Sequence, residues 1–224
     1  SIVAGNRARG YGAAGGGVYS VGGAEGGVES RIERSAITGN RVTAEHAYGG
    51  GVYSDGGGPG NRRAITIVSS TLAFNLVEDH PDIGEPDGSQ YYYRGGGLYM
   101  SNGTVALDQC TIAGNVVSGL PATFNGRPNM GGGGMAATIG NAHVVEQMRI
   151  GGSIVAGNTV NGQPGDVYSG SLVDFLGLGY NRIGHLDMSQ MLVPIPPWWS
   201  IDRHHWPAAG DSAGVDAAAV LDAG

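Results

Sequence analysis

Short aliphatic runs, with small or polar residues at alternate positions, recur along the chain, and each ends in the same turn signal. Five of them align: Ser1-Ile2-Val3-Ala4-Gly5-Asn6, Ser35-Ala36-Ile37-Thr38-Gly39-Asn40, Ser70-Thr71-Leu72-Ala73-Phe74-Asn75, Cys110-Thr111-Ile112-Ala113-Gly114-Asn115 and Ser153-Ile154-Val155-Ala156-Gly157-Asn158. Each reads small, any, aliphatic, any, any, Asn. That pattern predicts a short strand running into a turn that needs a left-handed backbone residue. The Asn residues lie 34, 35, 40 and 43 positions apart.

A second signature alternates with the first: Gly15-Gly16-Gly17-Val18-Tyr19, Gly49-Gly50-Gly51-Val52-Tyr53, Gly95-Gly96-Gly97-Leu98-Tyr99 and the weaker Gly131-Gly132-Gly133-Gly134-Met135. The distance from each Asn to the next Gly cluster is 9, 9, 20 and 16 residues. The period therefore grows by loop insertion while both signatures keep their form, as in a repeat architecture. Helix is a poor competitor, because three Gly in a row would cost it about 1 kcal/mol each relative to Ala, whereas a bend between strands uses their freedom.

The expected fold is all-β, a right-handed parallel β-helix (a solenoid) of about five coils. Each coil supplies two or three short strands, and coils stack about 4.8 Å apart. Equivalent residues then lie above one another, so Val3, Ile37, Leu72, Ile112 and Val155 are expected to form an interior aliphatic stack. Asn6, Asn40, Asn75, Asn115 and Asn158 are expected to form a structural amide ladder that satisfies turn groups coil by coil. Tyr19, Tyr53 and Tyr99 are expected to stack in the same way. Residues 1–185 are assigned to the repeats and 186–224 to an irregular capping segment, where Pro194-Ile195-Pro196-Pro197-Trp198-Trp199 and His204-His205-Trp206-Pro207 hold every Trp of the chain.

The alternation of aliphatic-x-x-Asn with Gly-Gly-small-aliphatic resembles the repeat of the polymorphic outer-membrane proteins and related bacterial surface β-helix proteins. The stretch from Ser153 to Asn158, then Gly165-Asp166-Val167-Tyr168 and Leu178-Gly179-Tyr180-Asn181-Arg182-Ile183-Gly184, is similar to the terminal coil of bacterial β-helix proteins of the choice-of-anchor type. The resemblance spans about residues 1–184. It implies a multi-repeat extracellular or outer-membrane-associated protein, mostly without known activity.

Composition narrows the function classes. With 44 Gly and 10 Pro among 224 residues, about a quarter of the chain, only the patterning separates it from a low-complexity segment. A formal charge of −7, with 12 basic residues that are all Arg, argues against nucleic-acid binding, which needs a basic footprint. One cysteine, Cys110, forms no internal disulfide. No apolar run approaches the roughly 20 residues of a membrane helix, and the opening Ser1-Ile2-Val3 carries no leader pattern, as expected of a mature or excised segment. Because Ser1 already lies inside a repeat, the first coil is expected to meet earlier coils or another chain, as in end-to-end self-association.

Candidate chemistry concentrates in one insertion, Glu78-Asp79-His80-Pro81-Asp82-Ile83-Gly84-Glu85-Pro86-Asp87. Asp79, Asp82 and Glu85 are the candidate ligands for Ca²⁺, a hard cation that takes six to eight oxygens, and a solvated acidic loop is the plainer alternative. Tyr91, Tyr92 and Tyr93 close the insertion and, with Trp198, Trp199 and Trp206, are the candidate contacts for a ligand or partner. Asn-Thr-Asp, Asp-Asp and Gly-His-Gly, the carboxylate and His motifs of the polygalacturonases that share this fold, do not occur. The expected role is a non-catalytic cell-surface or secreted element, structural, adhesive or assembling, with a polysaccharide or a neighbouring subunit as partner and no catalytic residue. Two alternatives stand beside it: a polysaccharide lyase or epimerase of the pectate-lyase-like fold, and a subunit of a filament or envelope assembly.

Overall fold

A computed structural model describes residues 1–21, 29–56, 64–80, 92–119, 123–124, 127–128, 130–138, 146–169, 173–187, 204–205 and 212–213. Among the described residues every regular element is a strand, and none is a helix. The strands are short because each circuit of the chain meets a left-handed residue at several fixed corners. Arg34, Ser69, Gln109, Gly152 and Tyr180 have φ from 45° to 61° immediately before the small-residue position of the repeat, and Gly5, Gly39, Phe74, Gly114 and Gly157 have φ from 56° to 71° immediately before its Asn. Three extended residues fit between these corners.

These short strands form the first sheet, in the order Ile2–Ala4, Ala36–Thr38, Thr71–Ala73, Thr111–Ala113, Ile154–Ala156, Arg182–Ile183 and Ser212–Ala213, all parallel. The second sheet begins with Arg7–Ala14 on Arg41–Tyr48 and continues through Leu76–Glu78, Val116–Ser118 and Thr159–Val160. The third holds Val18–Val21, Val52–Asp55, Leu98–Ser101, Met135–Thr138, Val167–Ser169 and Leu186–Asp187. The fourth holds Ser30–Glu33, Ala64–Val68, Thr104–Asp108, Glu146–Gly151, Val173–Gly177 and His204–His205. Among the described residues the chain passes through the four sheets in this order five times, and each new strand of these sheets pairs in parallel with its predecessor.

Two circuits carry an insertion within the second sheet. In the third circuit its strand is split, with Leu76–Glu78 pairing to residues 41–43 and Tyr92–Arg94 to residues 46–48 of the same long neighbour. The fourth circuit is split likewise, into Val116–Ser118 and Met130–Gly131, around a small antiparallel hairpin of Thr123–Phe124 and Arg127–Pro128. The sheet ends where Thr159–Val160 turns back antiparallel onto Gln163–Pro164, through Asn161 and Gly162 at φ 48° and 75°. A proline on that outermost strand removes a donor that further pairing would need.

The register places Val3, Ile37, Leu72, Ile112, Val155 and Ile183 in one column. Opposite it stand Val52, Leu98, Met135 and Val167 of the third sheet and Ile65, Ile67, Val105, Leu107, Met148 and Ile150 of the fourth, which together form the main core. A smaller core of Val42, Ala44, Ala47, Val77, Tyr93 and Val117 lies beneath the second sheet. Burying each large side chain contributes about 1.5–3 kcal/mol, so this narrow interior depends on being repeated.

The Gly triplets mark the closest backbone approach. A Cβ on Gly50 would sit 2.4 Å from the Gly96 oxygen, and one on Gly96 would sit 2.3 Å from that of Gly133. Gly39 differs: its φ is +63°, but nothing lies within 4 Å of a Cβ there. Gly50→Ala should therefore lose about 1–3 kcal/mol or more by forcing backbones apart. Gly39→Ala should lose about 1–2 kcal/mol, from the left-handed conformation alone. Denaturant midpoints of the two variants check this, and equal losses would mean that the circuit spacing can relax.

Candidate functional site

The five repeat Asn residues meet in a single column. Asn6 donates to Asn40 Oδ1 through its backbone N–H at 3.0 Å and through Nδ2 at 2.9 Å. Asn40 donates in the same two ways to Asn75 at 3.0 Å, Asn75 to Asn115 at 2.9 Å, and Asn115 to Asn158 at 2.9 and 2.8 Å. The Nδ2 groups also donate to the preceding circuit, Asn75 to the Ile37 carbonyl, Asn115 to that of Leu72 and Asn158 to that of Ile112, each at 2.9 Å. Asn40, Asn75, Asn115 and Asn158 are buried. In this setting each amide's loss would leave several groups unsatisfied.

The column ends on a carboxylate. Asp166 Oδ1 accepts from Asn158 N–H at 2.8 Å and Nδ2 at 2.7 Å, while Oδ2 accepts from the His185 N–H at 2.7 Å. Burial pushes the Asp166 carboxyl above its ordinary range, against the pull of these donors. Asp166 stands where earlier circuits have the last Gly of the triplet, since a Cβ on Gly134 would meet the Asp166 oxygen as one on Gly97 would meet that of Gly134. After Ile183 the next described strand, Leu186–Asp187, belongs to the third sheet, so the Asp166 side chain fills the rung that a further Asn would have occupied.

A second column runs beside the first. The Ser35 N–H donates to Ser70 Oγ, the Cys110 N–H to Ser153 Oγ, and the Ser153 N–H to Asn181 Oδ1, at 3.1, 3.0 and 3.0 Å. The buried thiol of Cys110 occupies a hydroxyl position and points at the Ile67 and Asp108 carbonyls. Its burial pushes its pKa up, which makes it a poor nucleophile.

At the root of the acidic insertion the polar side chains are tied to the sheet. Glu78 Oε1 accepts from the Arg41 guanidinium and from Thr43 Oγ1. Asp79 Oδ1 accepts from the Tyr93 hydroxyl at 2.8 Å and the His80 N–H at 2.7 Å, and Arg9 Nε donates to His80 Nε2 at 2.6 Å. On the neighbouring strand Arg41–Tyr48, Glu45 is buried, and its Oε2 has no hydrogen-bond partner among the described residues. Of the three carboxylates singled out for Ca²⁺, Asp79 has this position, while Asp82 and Glu85 lie outside the described residues. Among the described residues no group of three His, Cys, Asp or Glu side chains is arranged to hold a metal ion.

The aromatic residues divide by face. Tyr93 is fully buried in the smaller core, whereas Tyr92 is half-buried, with Arg94 5.1 Å above its ring and His46 stacked at 5.9 Å. Tyr91, Trp198, Trp199 and Trp206 lie outside the described residues. On the third sheet Tyr19 stacks on Tyr53 at 5.0 Å and 9°, Tyr53 on Tyr99 at 5.6 Å, and Tyr48 leans onto Tyr99 at 4.8 Å. Stacked in this way, Tyr53 and Tyr99 turn their faces to neighbouring rings, so a sugar approaching from outside would meet ring edges and hydroxyls.

No family model matches the sequence, and comparison with curated proteins and with solved structures gives no match. No helix among the described residues is long and apolar enough to cross a membrane.

Two predictions test the column. Asn75→Ala removes the acceptor of both Asn40 donors and should cost roughly 1–3 kcal/mol in chemical denaturation; an unchanged midpoint would contradict the bonding described. For Asp166, a carboxyl held above its unfolded value binds its proton more tightly in the fold. The stability this contributes is complete below the unfolded pKa of about 3.9 and is lost as pH rises through the folded value. The wild type should therefore gain stability relative to Asp166→Asn as pH is lowered across that window, and a difference independent of pH would refute it.

Proposed function

We propose that the chain is a stretch of right-handed parallel β-helix, a solenoid of about five coils closed by the aromatic segment from residue 186. In this proposal it serves as a non-catalytic structural, adhesive or assembly element of a bacterial cell-surface or secreted protein. The polymorphic outer-membrane and choice-of-anchor β-helix proteins are the kind of protein meant. The observation that carries the reading is the engagement of the polar side chains: the repeat Asn residues, Asp166 and Glu78 bond one circuit to another, and Asp79 bonds to the second-sheet strand that closes its insertion. Such a framework is rigid in itself and leaves its insertions, which depart after Glu78 and Ser118, as the variable surface that meets a polysaccharide or a neighbouring subunit.

Incubation with polygalacturonate and with alginate, with and without Ca²⁺, separates this role from sugar cleavage or epimerisation. The expected outcome is no unsaturated or epimerised product and no Ca²⁺-dependent change in melting temperature. Product formation that is lost in Asp79→Asn would overturn the non-catalytic reading.

A further inference from the structure

We propose that Tyr19 and Tyr53 are a site of oxidative cross-linking, at which one-electron oxidation joins their rings by a carbon–carbon bond and staples the first circuit of strands to the second. This goes beyond the scaffold role and does not depend on it. The two residues are register partners on adjacent parallel strands. Their rings are stacked, 5.0 Å apart between centroids and 9° from parallel. Tyr19 is 60 % exposed, open to an oxidant and free to twist into a biaryl geometry. The next ring in the column lacks that freedom: Tyr99 is buried, packed against Tyr48 as well as Tyr53, with its hydroxyl bonded to Thr138.

An oxidant of the peroxidase and hydrogen peroxide class removes one electron and the phenolic proton from each ring. The two phenoxyl radicals couple at carbons next to the oxygen-bearing ones. The hydrogen on each coupled carbon then moves to the phenoxyl oxygen, which restores both aromatic rings and both hydroxyls. In sum two hydrogens leave the protein, and one peroxide is reduced to two waters. The staple closes the loop between residues 19 and 53 and fastens Val18–Val21 to Val52–Asp55.

The test is peroxidase and peroxide treatment of the folded chain at low concentration, followed by digestion and mass spectrometry. The expected result is a monomer lighter by two hydrogens, the blue fluorescence of dityrosine, a linked peptide pair containing Tyr19 and Tyr53, and a raised melting temperature. Tyr19→Phe, which keeps the ring and removes the phenol, should abolish that peptide pair, while Tyr11→Phe, equally exposed in the same circuit, should leave it. The proposal is overturned by covalent dimers without the internal link, by a Tyr53 to Tyr99 link in its place, or by an equal yield from the denatured chain.

Discussion

The constraint on which the rest of this structure depends is the contact between the Asn column and the Gly triplets. Each buried amide accepts two donors from the circuit before it and donates both to that circuit and to the one after, so a rung such as Asn75 touches three circuits at once. That geometry leaves no room on the adjoining backbone: a Cβ on Gly51 would lie 2.9 Å from Asn75 Nδ2, and one on Gly97 would lie 3.0 Å from Asn115 Nδ2. The two repeated signatures are thus two sides of one contact. The two insertions that leave from the second sheet, between the Asn and the Gly cluster, do not interrupt this contact.

What could be read in the sequence is what repeats by identity. The Asn and Gly signatures and the aliphatic position beside them predict the first and third sheets, including the column from Val3 to Val155. The fourth sheet is different. Its strands share only alternation, as in Ile65 and Ile67 or Val105 and Leu107, with no turn residue common to all, so the sequence predicts two or three strands per coil, whereas the described residues form four such sheets. Alternation also decides the Tyr91–Tyr93 cluster: pairing of Tyr92 with His46 and Tyr93 with Ala47 turns the last ring inward, and the insertion before it hides that register from the sequence.

The role of Asp166 is only half legible in the sequence. The signal was present, since Gly165-Asp166-Val167-Tyr168 repeats the Gly-Gly-Val-Tyr element with Asp in place of a Gly, but its meaning depends on the next circuit lacking an Asn. Only the path from Ile183 straight to Leu186–Asp187 makes a carboxylate necessary there, because the last Asn then needs an acceptor and has no amide to supply it.

The direction of the amide column has an electrical consequence. Every Nδ2 hydrogen that bonds along it points toward the C-terminal circuits and every Oδ1 points back, so the side-chain dipoles add head to tail over five residues. Such a row carries partial positive charge at its far end, as a helix does at its N-terminus. The carboxyl oxygens of Asp166 sit at that pole, so the residue that completes the hydrogen bonding also sets negative partial charge against the field that the aligned amides build up.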